Sequence, residues 1–214
     1  RDGVQKTHHL HCRKVPQLRT GSGPSGRGRP CKHGMLTASG ARRLILVISD
    51  CIDKGRDYYD GGPRYNTNYI QCTGLGTTTD SLAVLKKHVF EDRTFSMERI
   101  LDAVAKNFEG EEFLRQTVIN KTPFFGNDDD YADDIALQIY HDLLDAIDGK
   151  PNVKGETFHL NMLSTTCHIY FGKVMGATPN GRLAGKSISD GTSPSHGADT
   201  HGPSAVIRSL TKLD

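Results

Sequence analysis

No stretch of this chain approaches the roughly 18 apolar residues that a helix needs to cross a bilayer, and the basic residues at its start are not followed by an apolar segment of the secretory kind. Cysteine occurs five times, at Cys12, Cys31, Cys51, Cys72 and Cys167, an odd number at irregular spacing with no CxxC pair. That usage argues against a disulfide framework and for reduced thiols, so we expect a soluble, cytoplasmic protein with no membrane partner. A hydrophobic fraction of 36% and a charged fraction of 24% lie at the polar end of the globular range. A length of 214 residues is nonetheless enough to bury a core.

Acidic residues are almost missing from the first 43 positions. That segment holds ten Lys and Arg residues against a single acid, Asp2, whereas the remainder holds seventeen basic and twenty-four acidic residues. The net charge of +2 therefore averages two unlike pieces. The first piece also lacks any helical or strand periodicity and is broken by Gly and Pro, as in GSGPSGRGRP at 21–30. Its composition cannot offset chain entropy by burial, which predicts disorder for 1–43. Clustered arginines allow a nucleic-acid arm, but no aromatic residue is interleaved to stack on bases. His8, His9, His11, Cys12, Cys31 and His33 are zinc-binding types, yet their spacing fits no finger. The abrupt change near Arg43 also suggests a segment foreign to the rest of the chain, such as a fusion scar or a shifted reading frame.

From Leu44 onward the pattern is that of an α/β scaffold. LILVIS at 44–49 is short and β-branched, fit for a buried strand or a helix end, and the alternating YNTNYIQ at 65–71 reads as a strand. GLGTTTDSL at 74–82 lacks both GxGxxG and GK[ST], so it reads as a turn into a helix rather than a nucleotide loop. We expect that helix to be capped near Thr79 and to bury Leu82, Leu85 and Val89. Further helices are expected after Ser96 as far as Gly110, over Glu111–Asn120, and from the acidic NDDDYADD at 127–134 to about Asp148. The acidic octet has no mid-loop Gly and no closing Glu, which removes a calcium loop and leaves complements to a helix N-terminus.

HLNMLSTTCHIYFG at 159–172 is rich in β-branched and aromatic residues, and period two reads it as one central strand. His159, Asn161, Leu163, Thr165 and Cys167 then share a face, whose small polar groups suit a wall toward a ligand cavity. A core strand with satisfied hydroxyl groups fits equally well. Adjacent Cys167 and His168 would point to opposite faces, which excludes a nucleophile pair. Asp190, His196, Asp199 and His201 could ligate a metal, but no motif supports it. Ser193 and Ser195 lack the GxSxG elbow of a hydrolase.

Five stretches carry more specific information: GGPRYN (61–66), GLGTTTDSLAVLKKHVF (74–90), FGNDDDYAD (125–133), GATPNGRLAG (176–185) and SDGTSPSHGADTHGPSAVIRSL (189–210). Together, and in this order, they resemble the glycyl radical enzymes, the family of pyruvate formate-lyase, the glycerol and propanediol dehydratases and choline trimethylamine-lyase. RQTVINKTPFFGNDDDYAD (115–133) and HLNMLSTTCHIYFGKV (159–174) are most similar to the family's trans-4-hydroxy-L-proline dehydratase branch.

The resemblance implies a helix-rich fragment of a ten-stranded α/β barrel, made of two parallel half-barrels. Residues 44–214 would be an interior piece of it, with 1–43 replacing authentic sequence. Family members carry a radical cysteine in a G-C-x-E-like context and a radical glycine in an R-V-x-G-Y-like context, and neither occurs here. No catalytic residue and no metal ligand is therefore assigned, and the isolated chain is expected to be inactive. In a complete relative, an activating enzyme with S-adenosylmethionine and an iron–sulfur cluster installs the glycyl radical, and no cofactor binds the chain directly. The implied partners are that activating enzyme, a second copy in a homodimer and a small hydroxylated substrate from which water is eliminated. The resemblance directs Leu163 and Thr165 toward substrate, Thr165 as a hydrogen-bonding group. Readings from other classes are a nucleic-acid-binding protein acting through 1–43 and a metal-dependent hydrolase using 190–201.

Overall fold

A computed structural model describes residues 48–213. The expectations for 1–43, and most of the LILVIS run, lie outside the described residues. Two short strands, β1 (Asn68–Gln71) and β2 (Phe158–Asn161), pair in parallel, with Asn68 opposite Phe158 and Gln71 opposite Asn161. Around them lie α1 (Ser49–Lys54), α2 (Leu75–Leu85), α3 (Met97–Ala105), α4 (Glu112–Lys121), α5 (Asp130–Ile147), α6 (Cys167–Val174) and α7 (Pro203–Thr211). A parallel pair needs a long crossover, and α2 to α5 supply it. None of the described helices is long and apolar enough to cross a membrane.

Helix boundaries follow local chemistry. The Ser96 hydroxyl accepts from the Arg99 amide to open α3, and the Asp129 carboxylate accepts from the Tyr131 amide to open α5. Asp130 and Asp133 in the first turn of α5 face its positive end. Past α5, Gly149 adopts φ +69°, the left-handed conformation that ends a helix. Pro203 starts α7, where its missing N–H costs nothing.

The core has two parts. One gathers Val84, Phe95, Ile100, Ala103, Phe108, Leu114 and Val118 between α2, α3 and α4. The other gathers Leu75, Phe125, Ala132, Ala136 and Leu213 between α2, α5 and α7. Helix α2 touches both, so it fixes the two halves relative to each other. A fully buried leucine or phenylalanine contributes about 1.5–3 kcal/mol, which makes these residues the main stabilisers.

Two expectations are corrected here. Helix α2 begins at Leu75 rather than at Thr79, and its buried face is Thr77, Thr79, Asp80, Ala83 and Val84, while Leu82 is exposed. The reason is tertiary: Thr77 and Asp80 bond to Ser189 and to the Phe125 amide in loops packed on α2, so burial does not follow hydrophobicity. The run 159–172 is not one strand either, since pairing stops at Asn161 and the chain turns into α6 from Cys167. Its β-branched content misled because β1 ends at Gln71, which leaves β2 nothing to pair with beyond Asn161.

Candidate functional site

Parallel strands place functional groups at their carboxyl ends, because the loops that follow them gather there. Here the loops are Cys72–Gly74 after β1 and Met162–Thr166 after β2. The Cys72 amide donates to Asn161 O at 2.9 Å as the last rung of the ladder. Beyond it, Leu163 is held by side chains: its amide donates to Asn161 Oδ1 at 3.0 Å, and its carbonyl accepts from Gln71 Nε2 at 2.5 Å. Leu163 itself is 63% exposed, so an apolar side chain stands in the open on a pinned backbone.

Thr165 follows, half-buried. Its hydroxyl lies 2.6 Å from Cys167 Sγ, and its carbonyl accepts from His168 Nδ1 at 2.6 Å. The expected face shared by Leu163 and Thr165 is thus not a strand face. Both residues sit on the connection between β2 and α6, Leu163 tied to the strand ends and Thr165 to the start of α6. The exclusion of a Cys167–His168 pair stands on new ground: the two open a helix, and each turns back onto Thr165.

A third segment closes the site from beneath. Ser189, 1% exposed, exchanges two bonds with Thr77: its amide donates to Thr77 Oγ1 at 2.9 Å and its hydroxyl accepts from the Thr77 amide at 3.0 Å. Its carbonyl accepts from the Gly74 amide and the Thr73 hydroxyl. These bonds occupy the first turn of α2, which closes the phosphate-loop reading of GLGTTTDSL. Gly191 lies so close to Met162 O that a Cβ there would overlap it. A cavity of about 590 Å³ opens beside these loops, lined by Gln71, Cys72, Thr73, Met162, Phe171 and Ile188 among others. Burial raises the Cys72 thiol above its usual range, which disfavours the thiolate.

The other candidates resolve without a ligand. Lys212 Nζ lies 3.2 Å from Asp128, 2.7 Å from Asp130 and 2.8 Å from Asp133, so an ammonium fills the acidic octet. His201 is engaged with Asn127, its amide and Nδ1 each donating at 3.0 Å. Among the described residues no group of three or more His, Cys, Asp or Glu side chains could hold a metal. A larger cleft of about 790 Å³ lies between the 122–129, 180–187 and 195–201 segments. Its two arginines are spent internally: Arg115 donates to Gly181 O, and Arg182 to the Gly176, Leu183 and Lys186 carbonyls.

Buried polar groups on α2 escaped the sequence reading. Asp80 is fully buried, accepts from the Phe125 amide at 2.9 Å, and its Oδ2 has no hydrogen-bond partner. Burial raises its pKa to about 7, outweighing the nearby Ser195 side chain, which lies outside hydrogen-bond geometry, and the Phe125 amide, both of which favour ionisation. His88, in a π-helical turn (Lys86–Glu91) that continues α2, pairs with Thr122 Oγ1 at 3.0 Å, and burial lowers its pKa. No local pattern marks either residue, because each partner is more than 30 positions away.

Comparison with known proteins identifies the family and the fold. The model of the pyruvate formate lyase-like family matches residues 38–172. A trans-4-hydroxy-L-proline dehydratase from Clostridioides difficile is 52% identical over 171 residues, which cover 80% of this chain and 22% of that protein. An isethionate sulfite-lyase from Oleidesulfovibrio alaskensis is 41% identical over 169 residues, covering 77% of this chain and 19% of the other. The crystal structure of hydroxyproline dehydratase from Clostridioides difficile with trans-4-hydroxy-L-proline bound superposes with a TM-score of 0.76 at 48% identity, over 85% of this chain and 24% of that one. The chain thus spans about a fifth of the length of the relatives it matches. Motifs, parallel strand pair and homology converge, and the chain belongs to the pyruvate formate lyase-like family, the glycyl radical enzymes.

Proposed function

We propose that residues 44–214 form part of the barrel of a glycyl radical dehydratase that removes water from a small hydroxylated substrate, with trans-4-hydroxy-L-proline the best candidate. The observation that carries this reading is the 52% identity to a trans-4-hydroxy-L-proline dehydratase over 80% of the chain. The segment 1–43 is foreign to that domain in this reading up to about residue 37, since the family match begins at residue 38. The full assembly is a cytoplasmic homodimer served by an activating enzyme that uses S-adenosylmethionine and an iron–sulfur cluster.

None of the chain's five cysteines lies in a G-C-x-E context and no glycine lies in an R-V-x-G-Y context, so no radical step runs through these residues. In the whole enzyme the radical supplies hydrogen abstraction from carbon. The part assigned to this chain is to orient the substrate and keep water away. Leu163 offers an apolar contact on a fixed backbone. Thr165 offers a hydroxyl that can accept from the Cys167 thiol and give its own proton to a substrate oxygen or carboxylate.

The test uses a chimaera in which residues 48–213 replace the matching stretch of the Clostridioides difficile dehydratase, activated anaerobically. Thr165→Ala is expected to raise KM about tenfold, the effect of one lost hydrogen bond, with a smaller change in kcat. Unchanged KM and turnover would remove Thr165 from the substrate site.

A further inference from the structure

We propose that Gln71 and Asn161 are positioning residues that set the place of the substrate-facing loop, acting as a cross-strand pair on the Leu163 peptide. The two are opposite each other in the register of the parallel sheet, each the last residue of its strand. Directly paired residues on neighbouring strands project to the same face. Both side chains therefore reach past the sheet on one side, and both end on Leu163. Gln71 donates to its carbonyl at 2.5 Å and Asn161 accepts from its amide at 3.0 Å.

The chemistry fixes which atom of each amide is used. Gln71 Nε2 faces two carbonyl oxygens, Leu163 O at 2.5 Å and Cys72 O at 2.9 Å, so only its NH2 group satisfies both. Asn161 meets an N–H, so only its oxygen serves. Gln71 is needed as a donor and Asn161 as an acceptor. These bonds add nothing to the strand pairing, which already closes with the Cys72 amide on Asn161 O. They act two residues beyond the last rung, where the chain has left the sheet and has no ladder to hold it.

Gly191 supplies the opposing surface. Its backbone sits under Met162 O, and an added Cβ would also lie 3.1 Å from the Ser164 amide. The loop is thus drawn toward the sheet by Gln71 and Asn161 and stopped from below by the 189–191 segment. Leu163 is left exposed, and Thr165 lies two residues further along. A shift of about 1 Å in such a loop is enough to lose much of the orientation effect.

The inference rests on the proposed substrate role of Leu163 and Thr165, and the same activated chimaera separates the two. Gln71→Glu removes the donor while keeping the shape, and Asn161→Leu removes the acceptor. Each is expected to raise KM for trans-4-hydroxy-L-proline about tenfold, with kcat changed less than about threefold. Asn161→Asp keeps the acceptor and is expected to recover most of the loss, whereas a purely packing role would not distinguish Leu from Asp in this way. If Thr165→Ala raises KM and these variants do not, the positioning role is wrong and the substrate site stands. If Thr165→Ala also has no effect, both readings fall. A second measurement needs no turnover: amide hydrogen exchange of Leu163 in the 214-residue chain. Exchange should quicken about tenfold or more in Asn161→Leu and stay slow in Asn161→Asp. Equal rates in the three proteins would overturn the proposal.

Discussion

At the scale of single residues, Asp80 has the most to say about how this chain trades solubility of a group for position. Its carboxyl anchors the Phe125 amide, at the junction of α2 with the loop before α5, and has no exposure to water. The folded pKa of about 7 lies above the ordinary carboxylate value, so the folded state holds a proton that the unfolded chain releases near pH 4. Stability therefore falls as pH rises from about 4 to about 7 and levels off above that. Asp80→Asn keeps an oxygen for the Phe125 amide and does not titrate. Relative to the parent, the variant is expected to gain on the order of 2–4 kcal/mol between pH 4 and pH 7.5, whatever its fixed offset. Urea midpoints at the two pH values check this, and parallel pH profiles for parent and variant would remove Asp80 as the titrating group. Nothing local in the sequence marks Asp80 as an anchor, because its partner is 45 residues away.

Among the elements, the contact of α5 with α7 depends most on one side chain. Lys212, just past α7, spans Asp128, Asp130 and the buried Asp133, whose Oδ2 also accepts from Ser209 at 2.9 Å. Three carboxylates raise the pKa of the ammonium well beyond its ordinary value. The Asp128 and Asp130 contacts are solvent-screened and count for little. The Asp133 contact does not have that screening, since the carboxylate is 1% exposed. Lys212→Met is expected to destabilise by about 1–3 kcal/mol because it strands that charge. Adding Asp133→Asn should restore part of the loss, and a double-mutant cycle by thermal unfolding measures the coupling. Strict additivity would show that the pair contributes no interaction. The acidic octet was legible as a helix start, and Asp129 caps α5 as such a pattern predicts. Its cation was not legible, since Lys212 lies about 80 residues downstream.

For the whole molecule, the two strands are parallel, and among the described residues the sheet contains only β1 and β2. Parallel sheets are stable when both faces are covered, yet Tyr69 and Ile70 on β1 and Tyr170 and Phe171 on α6 are exposed. That surface suits a part packed within something larger, and the reading as part of a radical enzyme requires it. The 214-residue chain, treated anaerobically with a radical-activating enzyme, is expected to give no dehydrated product from trans-4-hydroxy-L-proline, because neither radical-bearing context is in its sequence. Product detected by mass spectrometry under those conditions would contradict the assignment.

The sequence by itself determined the helix that opens at Ser96, though not its end at Ala105, the helices over 111–120 and from the 127–134 octet, a strand within 65–71 and the family, because caps, periodicity and motif wording are local properties of the chain. Only the tertiary structure decided that β2 ends at Asn161, that α2 buries Thr77, Thr79 and Asp80, and that Leu163 and Thr165 ride on a loop held by Gln71 and Asn161. Those outcomes depend on partners tens of residues away, and a strand continues only where a neighbour offers it hydrogen bonds.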